Sequence, residues 1–122
     1  MTTSPQHHSL DYVELVVTDL EGSKRFFADA FGWTFNDYGP GYAGIASPSG
    51  DGSEVGGLML ADEPRPVGGP LVLLYSDDLD ATKRAIVAAG GTILQEPYEF
   101  PGGRRLHFAD TSGNELGVWA AQ

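Results

Sequence analysis

The sequence contains no cysteine, and it has only 7 lysine and arginine residues against 17 aspartate and glutamate residues. Without cysteine there is no disulfide framework, no thiol nucleophile and no zinc–thiolate site. The formal net charge of -10 disfavours nucleic acid as a partner, because phosphate recognition requires clustered basic side chains. We therefore interpret the acidic composition first as a determinant of solubility.

Long apolar runs are also absent, since no segment approaches the roughly 18 residues that a membrane-spanning helix requires. The N-terminal segment MTTSPQHHSL is polar and lacks the basic and apolar regions of a signal peptide. These features predict a cytoplasmic protein with no membrane partner. A length of 122 residues fits a single domain over residues 1–122.

Two segments of the chain are similar to each other, and each predicts a strand that leads into a helix. They are LVVTDLEGSKRFFADAFGW at 15–33 and LLYSDDLDATKRAIVAAGG at 73–91. Asp19 and Asp78 stand where a side chain can cap the helix, and glycine follows each helix as a stop signal. Two later segments, GYAGIASPSGD and RRLHFADTSGN, match as hairpins with a Ser-Gly turn. The chain is therefore predicted to be a duplicated unit.

Each unit is predicted to be a β-α-β-β-β module, at about 10–60 and 70–120, with a linker at 61–69. The predicted strands lie near 11–17, 33–38, 41–47, 54–60, 70–76, 92–95, 104–109 and 115–120, and the predicted helices at 20–31 and 79–89. Each helix has one apolar stripe, so we expect it to cover the outer face of a four-stranded sheet. The fold class is α+β.

Three segments carry a more specific signal: VELVVTDLEGSKRFFADAFGW, LVLLYSDDLDATKRAIVAAGG and FADTSGNELGVW. In this order they resemble the vicinal oxygen chelate superfamily, which includes glyoxalase I, bleomycin-resistance proteins and extradiol dioxygenases. The resemblance covers nearly all of residues 10–120. It implies a glyoxalase/bleomycin-resistance fold, in which two modules form a curled mixed sheet cup that binds small molecules and often a divalent metal. It also implies a homodimer, and it leaves open whether modules pair within or between chains.

The residues at the metal positions of this superfamily do not suit a metal ion. The resemblance puts these positions at Tyr12, Gly57, Leu71 and Gly117. A tyrosine, a leucine and two glycines do not supply the imidazole or carboxylate donors that divalent metals require. We therefore predict no cofactor, although a divalent metal elsewhere in the cup is conceivable. Glu54, three positions before Gly57, is expected to face the opposite side of its strand.

Strand residues two apart share a face, so further side chains are predicted to line the cup beside these positions. The predicted ligand-binding residues are Tyr12, Glu14, Leu73, Tyr75, His107, Glu115 and Trp119. The orientation of His107 is left open by the sequence. Aromatic faces together with carboxylates favour a flat or cationic small molecule.

The preferred interpretation is a protein of the bleomycin-resistance type that binds an aromatic or cationic molecule without the usual metal site. The alternative is an enzyme of the lyase, isomerase or dioxygenase type. Such an enzyme would use a relocated metal site at Glu14, His107 and Glu115, or metal-free acid–base catalysis by these residues. A dimer with a structural role and no ligand is the third possibility.

Overall fold

The computed structural model describes residues 7, 10–63 and 70–121. The first module consists of β1 (Val13–Val17), α1 (Leu20–Phe31), β2 (Phe35–Asp37), β3 (Tyr42–Ala46) and β4 (Glu54–Leu60). The second module consists of β5 (Val72–Tyr75), α2 (Leu79–Ala88), β6 (Thr92–Phe100), β7 (Gly103–Ala109) and β8 (Glu115–Ala120). Each predicted helix and strand is present in the predicted order, and the α+β class is confirmed. No helix in these ranges combines the length and the apolar character needed to cross a membrane.

Each module forms its own four-stranded mixed sheet, in the orders β1-β4-β3-β2 and β5-β8-β7-β6. β1 runs parallel to β4 and β5 parallel to β8, whereas the other neighbours are antiparallel. The described strands of one sheet make no pairing with those of the other, so the two sheets are not closed into one. Residues 64–69 of the predicted linker lie outside the described residues.

Both helices begin where the sequence predicts; α1 also ends as predicted at Phe31, and α2 ends at Ala88, one residue before the predicted end. The Asp19 carboxylate accepts a hydrogen bond of 3.1 Å from the Gly22 amide, and Asp78 accepts one of 3.1 Å from the Ala81 amide. These bonds satisfy amides that the first turn of a helix leaves without a partner. Gly32 ends α1 with φ 73, a left-handed conformation that glycine adopts without strain.

Strand β6 is longer than predicted, because it extends through residues 96–100 instead of ending at residue 95. Pro97 interrupts the ladder, and the pairing with β7 shifts register between Gln95 and Tyr98. A missing amide is tolerated there since β6 is an edge strand. The pairing then resumes with Tyr98 opposite Arg105, which brings Tyr98 to the outer face of the second sheet.

The helices pack differently from the prediction that each covers an outer sheet face. Phe26 and Phe31 of α1 contact Phe108 of β7, with ring centroids 6.2 Å and 5.6 Å apart. The two helices also contact each other, and the buried residues of both modules form one hydrophobic cluster. A helix and a sheet each bury one apolar side, and here all four such sides meet in one core. The prediction of outward helices is therefore wrong, and the opposite sides of both sheets lie outside.

Candidate functional site

The seven predicted ligand-binding residues all belong to the outer sides of the two sheets. Tyr12 and Glu14 lie at the first sheet, where Glu14 is the register partner of Gly57. The second sheet carries the other five, namely Leu73, Tyr75, His107, Glu115 and Trp119. Because both sheets turn their inner sides to one core, the two groups occupy opposite outer sides of a single chain. Their role in binding a ligand stays a prediction.

The position at Gly57 is filled by tyrosine hydroxyl groups. A Cβ atom added at Gly57 would lie 2.7 Å from the hydroxyl oxygen of Tyr12 and would collide with that of Tyr42. Tyr12 and Gly57 are therefore neighbours on one face, as the resemblance implied. The two phenols occupy the space that a longer side chain at residue 57 would need.

The position at Gly117 is filled in the same way by leucine side chains. A Cβ atom added there would lie 2.5 Å from a methyl carbon of Leu73 and 3.6 Å from one of Leu71. The two metal positions of the second module are thus adjacent, but methyl groups surround them.

These residues do not fit the divalent metal that the superfamily often binds. Phenols occupy the positions of the first module and methyl groups those of the second, and neither supplies the imidazole nitrogens or carboxylate oxygens of a stable site. Within residues 10–63 and 70–121, no three histidine, aspartate or glutamate side chains lie close enough to hold a metal ion. The conceived site at Glu14, His107 and Glu115 is divided, because Glu14 lies on the other sheet.

His107 faces outward and belongs to a chain of hydrogen bonds. Its Nδ1 atom lies 3.0 Å from Oε2 of Glu115, and its Nε2 atom lies 2.8 Å from the hydroxyl oxygen of Tyr98. The hydroxyl of Tyr98 also accepts a hydrogen bond from Nε of Arg105. A carboxylate accepts only, so Nδ1 donates to Glu115, and in the neutral imidazole Nε2 is left to accept from Tyr98. This arrangement orders all four side chains and fixes one tautomer of His107.

Aromatic rings surround this chain on the outer side of the second sheet. Trp119 makes edge contacts with Tyr75 and Phe100, at centroid distances of 4.9 Å and 6.2 Å. The guanidinium carbon of Arg105 lies 5.1 Å from the ring centre of Phe100 and 5.3 Å from that of Tyr98. Tyr75 is 56% exposed, so part of this aromatic surface is open to solvent.

The outer side of the first sheet has a different chemistry, with tyrosine hydroxyls and carboxylates. The hydroxyl oxygens of Tyr12 and Tyr42 are 2.6 Å apart. Burial, followed by the hydrogen bonds with Tyr12 and Glu14, raises the pKa of the Tyr42 phenol above its ordinary value. Tyr42 therefore stays a neutral donor at physiological pH.

Glu54 also lies on this side, which contradicts the expectation that it faces away. Its carboxylate lies over Gly44, and Gly44 is the register partner of Gly57. The cause is a bulge, since Glu54 and Gly56 pair with consecutive residues and Val55 is the extra one. An extra residue shifts the alternation by one position and turns Glu54 to the outer side.

Hydrogen bonds hold the Glu54 carboxylate in place. The Tyr38 hydroxyl donates to Oε2, and the Asn36 amide donates to the same atom at 3.0 Å. These bonds, Tyr38 first, hold the pKa of Glu54 below its ordinary value. The bond to Glu54 in turn raises the pKa of Tyr38.

A mainly apolar cavity of about 500 Å³ opens beside the two edge strands β1 and β5. Its walls include Val13, Leu15, Phe31, Trp33, Val72 and Leu74. None of its lining residues is charged, so it suits an apolar group. Apart from Tyr75, the sequence predicted none of the residues that line it.

Sequence reasoning thus missed several residues of the two outer faces. They are Tyr38, Tyr42, Glu54, Tyr98, Phe100 and Arg105 as a partner of Tyr98. For Tyr42 a signal existed, because alternation along β3 places it on the same face as Gly44. For Tyr98 none existed, since residues 96–103 read as an insertion.

Comparison with known proteins agrees with the fold. The sequence profile of the Glyoxalase/Bleomycin resistance protein/Dioxygenase superfamily matches residues 9–118. The putative glyoxylase CFP32 of Mycobacterium tuberculosis is 28% identical over 120 residues, which is 91% of this chain. The chain spans 45% of the length of that relative.

Two solved structures illustrate the similarity in three dimensions. A glyoxalase/bleomycin resistance protein/dioxygenase family enzyme from Burkholderia phytofirmans PsJN superposes with a TM-score of 0.77 at 18% identity, over 93% of this chain and 99% of that one. TnmS3, an antibiotic binding protein from Streptomyces sp. CB03234, superposes with a TM-score of 0.67 at 26% identity, over 98% and 100%. The chain therefore belongs to the Glyoxalase/Bleomycin resistance protein/Dioxygenase superfamily.

Proposed function

We propose that this chain binds a small aromatic molecule, without a metal ion at the positions that its superfamily commonly uses. The observation that carries this proposal is the outer face of the second sheet. There the rings of Tyr75 and Phe100 lie in edge contact with Trp119, two residues along β8 from Gly117. Small-molecule sites are mostly apolar with a few oriented polar groups, and this face has that composition.

The similarity to TnmS3 supports a binding function, because that protein is described as antibiotic binding. A cationic ligand remains the second part of the proposal, and it rests on the first sheet. Glu14 and Glu54 lie there on one face, and neither makes an ion pair with a described residue. Carboxylates held beside tyrosine rings favour a positively charged group.

The protein is further proposed to act as a homodimer. In one chain the two outer faces point to opposite sides, so Glu14 and Trp119 line no common cup. A second copy would allow the outer face of the first sheet of one chain and the outer face of the second sheet of the other to line one cup. Light scattering after size exclusion should give twice the mass of one chain. A single-chain mass at high protein concentration would contradict the dimer.

A cytoplasmic location also stays a prediction.

The alternative function is metal-free acid–base catalysis, and the hydrogen-bonded chain of Glu115, His107 and Tyr98 favours it. Such a chain holds a proton donor in one orientation next to an open surface. Enolisable aryl ketones in D₂O would then exchange their α-protons faster with the protein than with a His107→Gln variant. Equal rates would remove the catalytic alternative and leave binding.

Thermal denaturation with a panel of planar aromatic compounds, bleomycin included, tests the proposed binding. A compound at a hundredfold excess over its Kd stabilises the fold by about 2.7 kcal/mol, which shifts Tm by several degrees. We expect a Trp119→Phe variant to lose most of this shift. Trp33→Phe is the matched control, since Trp33 lines the inner cavity. No shift with any compound would contradict the proposal, and loss of the shift only in Trp33→Phe would move the site to the cavity.

A further inference from the structure

Arg105 has an unusual position for a charged side chain, because aromatic rings enclose it on the outer side of the second sheet. It is half-buried and stands opposite Trp119 in the register of β7 and β8. Its guanidinium group lies over Phe100 and Tyr98, at 5.1 Å and 5.3 Å from the ring centres. Ring faces attract the cation, and they also limit its contact with water.

No described carboxylate pairs with Arg105. The ion pairs of lysine and arginine in the described residues are Lys24–Glu21, Lys24–Asp37, Lys83–Glu96 and Arg104–Asp80. Arg25 and Arg84 are also outside these pairs, but both are exposed to water. In a chain with 17 acidic and 7 basic residues, a half-buried arginine with no acidic partner among the described residues is a candidate for binding an anion.

Glu115, the acidic residue on the same face, does not pair with Arg105. Glu115 accepts a hydrogen bond from His107 Nδ1, and Tyr98 separates His107 from Arg105. The Tyr98 hydroxyl accepts a hydrogen bond from the Nε–H of Arg105 and donates one to Nε2 of the neutral His107. The chain therefore fixes the direction of the guanidinium group without neutralising its charge.

The unused donors of Arg105 are its two terminal NH₂ groups, since the described residues accept only from Nε. A guanidinium group binds a carboxylate through two parallel hydrogen bonds when both acceptor oxygens lie in its plane. The rings of Phe100, Tyr98 and Trp119 next to it offer flat apolar contact. Charge and shape together favour a planar anion.

We propose that Arg105 is the anion-binding residue of a subsite for flat aromatic carboxylates on the outer face of the second sheet. This inference rests on the proposed function, because it assigns the charge of the ligand that this face takes. His107 acts as a positioning residue, since it holds the Tyr98 hydroxyl that receives the Nε–H of Arg105, whereas the Tyr98 ring belongs to the apolar surface of the subsite.

Three matched probes test the inference by calorimetric titration: 2-naphthoate, its neutral isostere 2-naphthamide, and the cation 2-naphthylmethylammonium. We expect naphthoate to bind at least about tenfold more tightly than naphthamide, because a hydrogen bond to a charged group is worth that factor or more. The indole N–H signal of Trp119 should shift on binding of naphthoate. The ammonium probe should bind this face most weakly.

The preference for naphthoate should disappear in an Arg105→Met variant, which keeps an apolar stem against the rings. Arg104→Met is the matched control, since Arg104 is the next residue, faces the other side and pairs with Asp80. The control should keep the preference. An Arg105→Lys variant should keep only part of it, because an ammonium group lacks the planar pair of donors. This second variant retains the charge if Arg105→Met fails to fold.

The outcomes separate this inference from the proposed function. Equal binding of all three probes to the native protein would overturn the anion subsite and leave aromatic binding intact. No binding of any probe would contradict both. A preference that persists in Arg105→Met would also overturn the inference. If Arg105→Met instead converted a dimer to single chains, Arg105 would serve a contact between two copies, and the subsite would again be excluded.

Discussion

The side-chain amide of Asn114 donates a hydrogen bond of 2.6 Å to the backbone carbonyl of Val16, 98 residues earlier in the chain. The same amide donates to the Asp110 carboxylate at 3.0 Å, and that carboxylate accepts from two backbone amides of the turn. Ser112 adds a bond from the Thr18 amide at 2.9 Å. The turn between β7 and β8 therefore fastens the second module to the first strand of the first.

Replacing Asn114 with alanine is expected to destabilise the protein by about 2 kcal/mol, because the Val16 carbonyl would be left buried without a partner. Chemical denaturation measures this as a lower midpoint with an unchanged slope. Thr111→Ala in the same turn is the control, since Thr111 is exposed. A loss below about 0.5 kcal/mol, as for an ordinary surface change, would contradict a fastening role for Asn114.

The two modules are expected to unfold together, because their buried residues form one cluster. Trp33 lies in the first module and Trp119 in the second, so Trp119→Phe and Trp33→Phe each leave one fluorescent reporter. The fluorescence midpoint of each variant should equal its own circular dichroism midpoint. Different midpoints would show that the modules unfold separately.

Phe108→Ala should lower the unfolding midpoint reported by Trp33 as well as the one reported by Trp119, although Phe108 belongs to the second module. The side chain is fully buried against Phe26 and Phe31 of the first helix, and such truncations cost about 3–5 kcal/mol. The reporter variants above, each combined with Phe108→Ala, provide the measurement. A shift confined to the Trp119 signal would contradict packing between the modules.

The bond between Tyr38 and Glu54 should make stability depend on pH at both ends of the range. The pKa of Glu54 is lowered from 4.5 by the bonds from Tyr38 and Asn36. The contribution of the Glu54 carboxylate to the free energy of unfolding is therefore present above pH 4.5 and is lost as the pH falls through the lowered pKa. The pKa of Tyr38 is raised from 10.0 by the bond to Glu54. The contribution of the Tyr38 hydroxyl to the free energy of unfolding is present below pH 10.0 and is lost as the pH rises through the raised pKa.

A Tyr38→Phe variant tests this dependence. The difference in unfolding free energy between it and the native protein should be constant from about pH 5 to pH 9 and shrink outside that interval. Carboxyl NMR titration should also show the pKa of Glu54 rising in the variant. Tyr75→Phe is the control, because the Tyr75 hydroxyl bonds with Asp77. An unchanged Glu54 titration in Tyr38→Phe would refute the assignment.

Protein purified without a histidine tag should contain no stoichiometric metal. Calorimetric titration with Ni²⁺, Zn²⁺, Mn²⁺ or Fe²⁺ should give no specific heat, because the positions at Gly57 and Gly117 are surrounded by phenol and methyl groups. A Glu115→Ala variant distinguishes a relocated site from adventitious binding. Stoichiometric metal that disappears in this variant would restore a metal-dependent enzyme.

The sequence by itself determined the order of helices and strands, because the signals for these are local. Asp19 and Asp78 cap their helices through amides three residues away. The alternation that placed Glu115 and Trp119 beside Gly117 is confirmed by the register of β7 and β8, since a regular strand has a period of two. Where the strand is irregular the same rule failed, and the bulge at Val55 turned Glu54 to the unexpected side.

Only the tertiary structure decided which of these residues meet. Pairing of β6 with β7 brought Tyr98 to Arg105 and His107, from a segment whose local pattern predicts no strand. Packing of both helices into one core set the two outer faces on opposite sides of the chain. The alternation of a strand states which side of a sheet a residue takes. The direction in which that side points depends on contacts between residues far apart in sequence, and these form only when both modules bury their apolar surfaces together.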